Sequence, residues 1–197
     1  PALAFVYGGH DARVCAHAWD ALNLWKLGYP KRALEANAAG LHWARQLSQP
    51  HSTAVALVYG SLLRRLRREE QAAREVADSC VALSAEHRFP QWLGMARIYG
   101  GSALAALGKM DEGLAEIREG LSAYRATGAG AERPTFFALL AEVYWRRGAW
   151  QDGHAAVSEA FDIIAENGEC AYEAELHRIR GELVLGRSPT DEGQAEA

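Results

Sequence analysis

The sequence predicts an all-α solenoid, an array of helical hairpins in which each hairpin covers the apolar face of the next. Two observations carry this prediction: a short motif returns every 40 residues, and apolar residues recur at helical spacing on both sides of it. The motif stands at Leu27-Gly28, Arg67-Arg68, Leu107-Gly108 and Arg147-Gly148. Five positions past each turn residue lies a small side chain (Ala33, Ala73, Gly113, Gly153). Twelve positions past it lies another (Gly40, Cys80, Gly120, Ala160), followed at once by Leu41, Val81, Leu121 or Phe161.

Each unit reads as two amphipathic helices, one before the turn and one after it. The predicted units run over about 10–49, 50–89, 90–130 and 131–169, with a capping helix at 170–186, a lead-in at 1–9 and a disordered tail at 187–197, making about nine helices. Pro50 and Pro90 start helices, where a missing amide leaves nothing unpaired. In the third unit the first helix is expected over about 91–107 and the second from an Asp111 N-cap to about Ala126. Gly108 is expected to end the first helix in the left-handed conformation, which penalises a residue with a Cβ. Arg68 in the same place predicts a strained or differently built turn. Pro134 comes 44 residues after Pro90, so the 127–134 connection is longer by about one helical turn, the helix after it is shorter, and this is expected to be the most mobile internal loop. In the ninth helix Leu176, Ile179, Leu183 and Val184 are expected on one side, with Glu173, Glu175, His177, Arg178, Arg180 and Glu182 on the other as a solvating cap.

Bulk properties narrow the function. Hydrophobic residues make up 49% of the chain, yet charged residues (23%) are interspersed throughout and no run of 18 apolar residues spans a bilayer. A net charge of -4 argues against wholesale nucleic-acid binding. Three widely spaced cysteines, Cys15, Cys80 and Cys170, fit a reducing, cytoplasmic compartment. The apolar stretch from Ala2 to Tyr7 is too short for a signal peptide, and the start at Pro1 reads as a cut from a longer protein.

The segment Leu107-Gly-Lys-Met-Asp-Glu-Gly-Leu114 resembles the turn of a tetratricopeptide repeat (TPR), and Leu27-Gly-Tyr-Pro-Lys-Arg-Ala-Leu34 matches it without the acidic pair. The run from Gly8 to Gly186 is similar to the C-terminal repeat regions of bacterial multidomain regulators that join a class III nucleotide cyclase or a DNA-binding domain to a signalling ATPase. The segments carrying that likeness are Tyr7-Gly-Gly-His-Asp11, Val14-Cys-Ala-His-Ala-Trp19, Trp25-Lys-Leu-Gly-Tyr-Pro30, Gly120-Leu-Ser-Ala-Tyr-Arg-Ala-Thr-Gly128 and Tyr172-Glu-Ala-Glu-Leu-His-Arg-Ile-Arg-Gly-Glu-Leu183. The resemblance implies a right-handed superhelix with a concave groove, lined by Ala18, Leu22, Trp25 and Lys26, by Val58, Leu62, Arg65 and Leu66, by Ile98, Ser102 and Ala105, and by Glu142, Trp145 and Arg146. Trp25 and Trp145 hold equivalent places, each beside a cation, as an anchor for a peptide or helix would, or else pack between helices. Leu22, Leu62, Ser102 and Glu142 stand where the clamp for acidic C-terminal tails carries Asn, so that mode of binding is not expected.

Chemistry-bearing groups are sparse. Cys15 and His17 diverge by about 200° on a helix and cannot share a metal ion. His42, His51, His87, His154 and His177 follow no ligand spacing. The basic cluster Arg64, Arg65, Arg67 and Arg68 reads either as the solvated end of a helix, partly neutralised by Glu69 and Glu70, or as a grip for an acidic partner segment. The expected function is therefore a non-catalytic protein-interaction or regulatory scaffold, without cofactor, metal, nucleic acid or membrane. A homo-oligomer formed through Leu3, Phe5, Val6 and Tyr7 is one alternative, and a small-molecule sensor with a pocket lined by Trp25 or Trp145 is another.

Overall fold

The computed structural model describes residues 9–186. Residues 1–8, including Leu3, Phe5, Val6 and Tyr7, and the tail at 187–197 lie outside the described residues. Among the described residues nine α-helices and no strand occur: α1 (Ala12–Lys26), α2 (Pro30–Gln46), α3 (Pro50–Leu66), α4 (Glu70–Glu86), α5 (Pro90–Ala106), α6 (Met110–Ala126), α7 (Arg133–Arg147), α8 (Trp150–Asn167) and α9 (Glu173–Gly186). The chain divides into two compact units, Pro1–Ala129 and Gly130–Ala197.

The first unit keeps a beat of 20 residues, half the period visible in the sequence. Its helices α2 to α6 are each 17 residues long and are separated by short turns. Left-handed backbone falls at Gly28, Ser48, Arg68, Arg88, Gly108 and Gly128, 20 residues apart. In the Arg68 turn the amide of Arg68 donates to the Arg65 carbonyl (3.1 Å) and that of Glu69 to the Arg64 carbonyl (3.0 Å). The Gly28 and Gly108 turns close in the same way, and this pairing satisfies the last carbonyls of each helix. Arg68, at φ 62°, thus carries the strain expected of it in a turn built like its glycine counterparts. Ser48 and Arg88 carry the same strain at turns between hairpins. A left-handed residue with a Cβ costs about 1–2 kcal/mol, and glycine returns about 0.5–1 of this as added unfolded-chain entropy. Arg88→Gly, at an exposed turn, is therefore expected to stabilise the chain by up to about 1 kcal/mol, read as a higher melting midpoint.

The two helices of a hairpin are buried differently. The second helix presents a narrow stripe of small residues: Ala33, Asn37, Gly40 and Ala44 in α2, and at the same spacing Ala73, Ala77, Cys80 and Ser84 in α4. The first helix is enclosed on several faces, with Val55, Val58, Leu62 and Leu63 of α3 and Met95, Ile98 and Tyr99 of α5 all in the interior. Small residues on the stripe let backbones approach, and in α5 and α6 they nearly touch. A Cβ built on Gly113 would lie 2.5 Å from the Gly101 carbonyl oxygen, and one on Gly120 would lie 2.7 Å from that of Gly94. Arg74 of α4 ties the stack laterally, pairing with Glu116 of α6 and, at 2.7 Å, with Asp78.

In the second unit α7 and α8 form a hairpin turned at Gly148 (φ 77°), and α9 packs on both. Helix α7 has 15 residues against 17 in α5, as the displaced Pro134 predicts. The carboxylate of Glu169, in the turn after α8, accepts the backbone N–H of Glu132 at 2.7 Å and so caps α7 from outside. Its pKa is raised by burial, an effect this hydrogen bond opposes.

Two local expectations need correction. Helix α6 begins at Met110 after Lys109, so Asp111 lies inside the first turn, where its charge favours the helix dipole, instead of capping it. In α9 Leu176, Ile179 and Leu183 are buried, whereas Val184, directly after Leu183 and so rotated about 100° from it, is 58% exposed.

Candidate functional site

The predicted groove residues separate by burial. Leu22, Leu62, Arg65, Ser102 and Glu142 lie in the interior, as do Ala18, Val58, Ile98 and Ala105. These side chains are packing groups, and a partner cannot cover them without first displacing a neighbour. Ser102 Oγ donates to the Tyr99 carbonyl within its own helix (2.9 Å). Leu66 is half-buried. At the end of α1, by contrast, Trp25 is partly exposed and Lys26 exposed, and at the end of α7 Trp145 and Arg146 are both partly exposed. Arg146 Nη2 is held by Glu142 Oε1 at 2.7 Å.

The basic cluster is anchored through contacts within the chain. Arg65, only 4% exposed, donates from Nη1 to Glu70 Oε1 at 3.1 Å. Arg67 grips Glu69 Oε1 with Nε (2.8 Å) and Nη2 (2.6 Å), and its Nη1 donates to the Pro30 carbonyl (3.0 Å). Arg64 Nη1 reaches Asn37 Oδ1 (3.2 Å) and the Gly60 carbonyl (3.0 Å), while Asn37 Nδ2 donates to the Ala56 carbonyl. Burial disfavours the charge on Arg64, and the nearby Glu69 carboxylate offsets part of that. Arg68 is exposed and shapes the turn. The cluster therefore joins α2, α3 and the first turn of α4.

Cys15 is half-buried, its thiol pKa raised by burial and partly lowered again by a hydrogen bond with Trp19. Cys80 is buried against the Ala54 carbonyl and Ser84, and burial pushes its pKa up to about 11, so little reactive thiolate is present near neutrality. Among the described residues no group of three His, Cys, Asp or Glu side chains is placed to hold a metal ion. An open depression of about 270 Å³ in the second unit is lined by Gly148, Ala149, Trp150, Gln151 and Asp152, and neither Trp25 nor Trp145 borders it. Among the described residues no helix is long and apolar enough to cross a membrane.

One grouping escaped the sequence reading. His10, His51, Phe89 and Trp92 converge, with Trp92 Nε1 donating to His51 Nε2 at 2.7 Å. His51 and Trp92 are 41 residues apart, one more than the repeat, so aligning the units does not pair them. The same offset joins the Asp11 amide to Ser52 Oγ (2.8 Å), which makes it the signal that would have found both contacts.

No protein-family profile matches the chain. It is 28% identical over 177 residues to an uncharacterized protein of Rhizobium meliloti (strain 1021), covering 90% of this chain and spanning only 17% of that relative's length. Among solved structures it is similar to one described as the nearly identical TPR-like repeats of a kinesin light chain from Podosopora anserina. The TM-score is 0.58 at 17% identity, covering 93% of this chain and 92% of that one. A substituted form of the same repeats gives 0.57 at 16% identity, covering 91% and 97%. The chain has the TPR-like helical repeat fold.

Proposed function

We propose that this chain is a non-catalytic protein-interaction module, the partner-binding region of a larger bacterial cytoplasmic signalling protein. The observation that carries the reading is the pairing of a partly exposed indole with a neighbouring cation at the last turn of α1 and again at the last turn of α7, at equivalent places in the repeat. An aromatic side chain offers a large contact area at low entropic cost, and an adjacent cation selects an acidic or carbonyl-rich segment. The TPR-like fold supports a scaffold role, and the small share of the Rhizobium relative that the chain matches is consistent with a module inside a longer protein. That a bound segment biases attached domains is part of this proposal.

Immobilised chain should retain a protein partner that the double variant Trp25→Ala, Lys26→Ala retains at least about tenfold less well, since a good anchor contributes 1.4 kcal/mol or more. Equal retention by a folded double variant, quantified by mass spectrometry, would remove these residues from the interface and the reading with them.

A further inference from the structure

We infer that His10, His51 and Trp92 form a pH-sensitive latch, which docks the 9–11 turn on the first turns of α3 and α5 while both imidazoles are neutral and frees it when they are protonated. Trp92 Nε1 can only donate, so its 2.7 Å bond requires the lone pair of His51 Nε2. The ring proton of neutral His51 must then sit on Nδ1, which is buried against the Gly9 backbone at a geometry short of a full hydrogen bond. A proton added to Nε2 would set two N–H donors against each other and abolish the bond. His10 lies beside this pair, its ring tilted against His51 at 5.8 Å and edge-on to Trp92 at 6.1 Å between ring centres, with its own Nδ1 buried and unpaired.

The surroundings oppose positive charge. Burial lowers the pKa of both rings, each further charge on His51 repels one on His10, and Asp11 only partly compensates. The Asp11 carboxylate is already engaged as the N-cap of α1, accepting from the amides of Arg13 and Val14 and from Trp43 Nε1, and the Arg13 guanidinium lies 4.2 Å from the centre of the Trp43 ring. From the first turn of α3 and the residue before it, the facing groups are the neutral Ser52 and Gln49. Gln49 Nε2 donates to the Gly9 carbonyl (3.3 Å), and Ser52 Oγ accepts the Asp11 amide and donates to Gln49 Oε1 (2.7 Å). Phe89 packs edge-on against His51 at 4.8 Å, and behind it His87 stacks on Phe89, 4.0 Å from Glu86. These uncharged bonds do not themselves titrate, so the two imidazoles set how docking depends on pH.

Because the docked pKa values lie below the ordinary 6.5, the undocked turn binds more protons. Docking is complete above that value and is lost as pH falls through the depressed pKa values.

The test follows the Trp92 indole N–H of the full chain by NMR from about pH 7.5 to about 5.5. Its exchange protection, corrected for the intrinsic rate, should fall at least about tenfold while helical circular dichroism stays constant. His51→Gln, whose amide oxygen can accept the same proton without titrating, should abolish most of that change. Trp92→Phe should raise the His51 titration midpoint, a readout that remains if the glutamine variant does not fold. Protection independent of pH, an equal loss in His51→Gln, or unfolding of the helices over the same range would each overturn the latch.

Discussion

Gly113→Ala is expected to destabilise the chain by about 2–3 kcal/mol, a large effect for one methyl group. The new Cβ would lie 2.5 Å from the Gly101 carbonyl oxygen, 2.7 Å from the Ala105 nitrogen and 2.8 Å from the Ala105 Cβ. Two of these three atoms are backbone, so no rotamer change relieves the contact and α5 and α6 must separate. Separation in turn opens the paired approach of Gly94 and Gly120 farther along the same two helices. The matching control is Gly181→Ala in α9, where a Cβ meets nothing within 4 Å. There the better helix propensity of alanine should raise stability by about 0.5–1 kcal/mol. Denaturation midpoints of the two variants should therefore move in opposite directions, and equal shifts would show that α5 and α6 are not in backbone contact.

The second large effect is at Arg65. Truncation to alanine leaves Glu70, whose side chain is 16% exposed, without the guanidinium 3.1 Å away, and opens a space inside the first unit. Breaking a buried pair from one side costs about 3–5 kcal/mol, and the partial exposure of Glu70 places the expected loss near 3. Arg68→Ala, in contrast, changes an exposed side chain and leaves a left-handed backbone equally strained, so its effect should stay within about 1 kcal/mol. Any loss of partner binding in an Arg65 variant would then come with loss of the folded state, and denaturation curves separate the two causes.

Much of the architecture was legible because it rests on steric rules that leave residue types behind. Gly28, Gly108 and Gly148 mark left-handed turns, Pro50 and Pro90 mark first turns, and Ala33, Ala73, Gly113 and Gly153 mark close helix approach. The half-beat of 20 residues was hidden because Ser48 and Arg88 adopt left-handed backbone without the glycine that advertises it. The candidate surface was less legible. Position within a repeat says which way a side chain points, but not whether its neighbours are long enough to cover it. Thus Trp25 remains partly exposed while Arg65, at the equivalent position of the next unit, is enclosed. The basic cluster misled for a related reason: charge density is visible in sequence, whereas the Asn37, Glu69, Glu70 and Pro30 partners that engage it come from two other helices and a turn.

Under the proposed function, this helical array holds a protein segment at its exposed indole and cation positions. Site-specific photo-crosslinking tests it most directly, with a photoreactive residue placed at position 25, at position 145, or at Ala82, an exposed control on α4. Crosslinks to a polypeptide are expected from position 25 and from position 145, with little or nothing from position 82. Crosslinks from position 82 alone, or equal and indiscriminate labelling from all three, would contradict it.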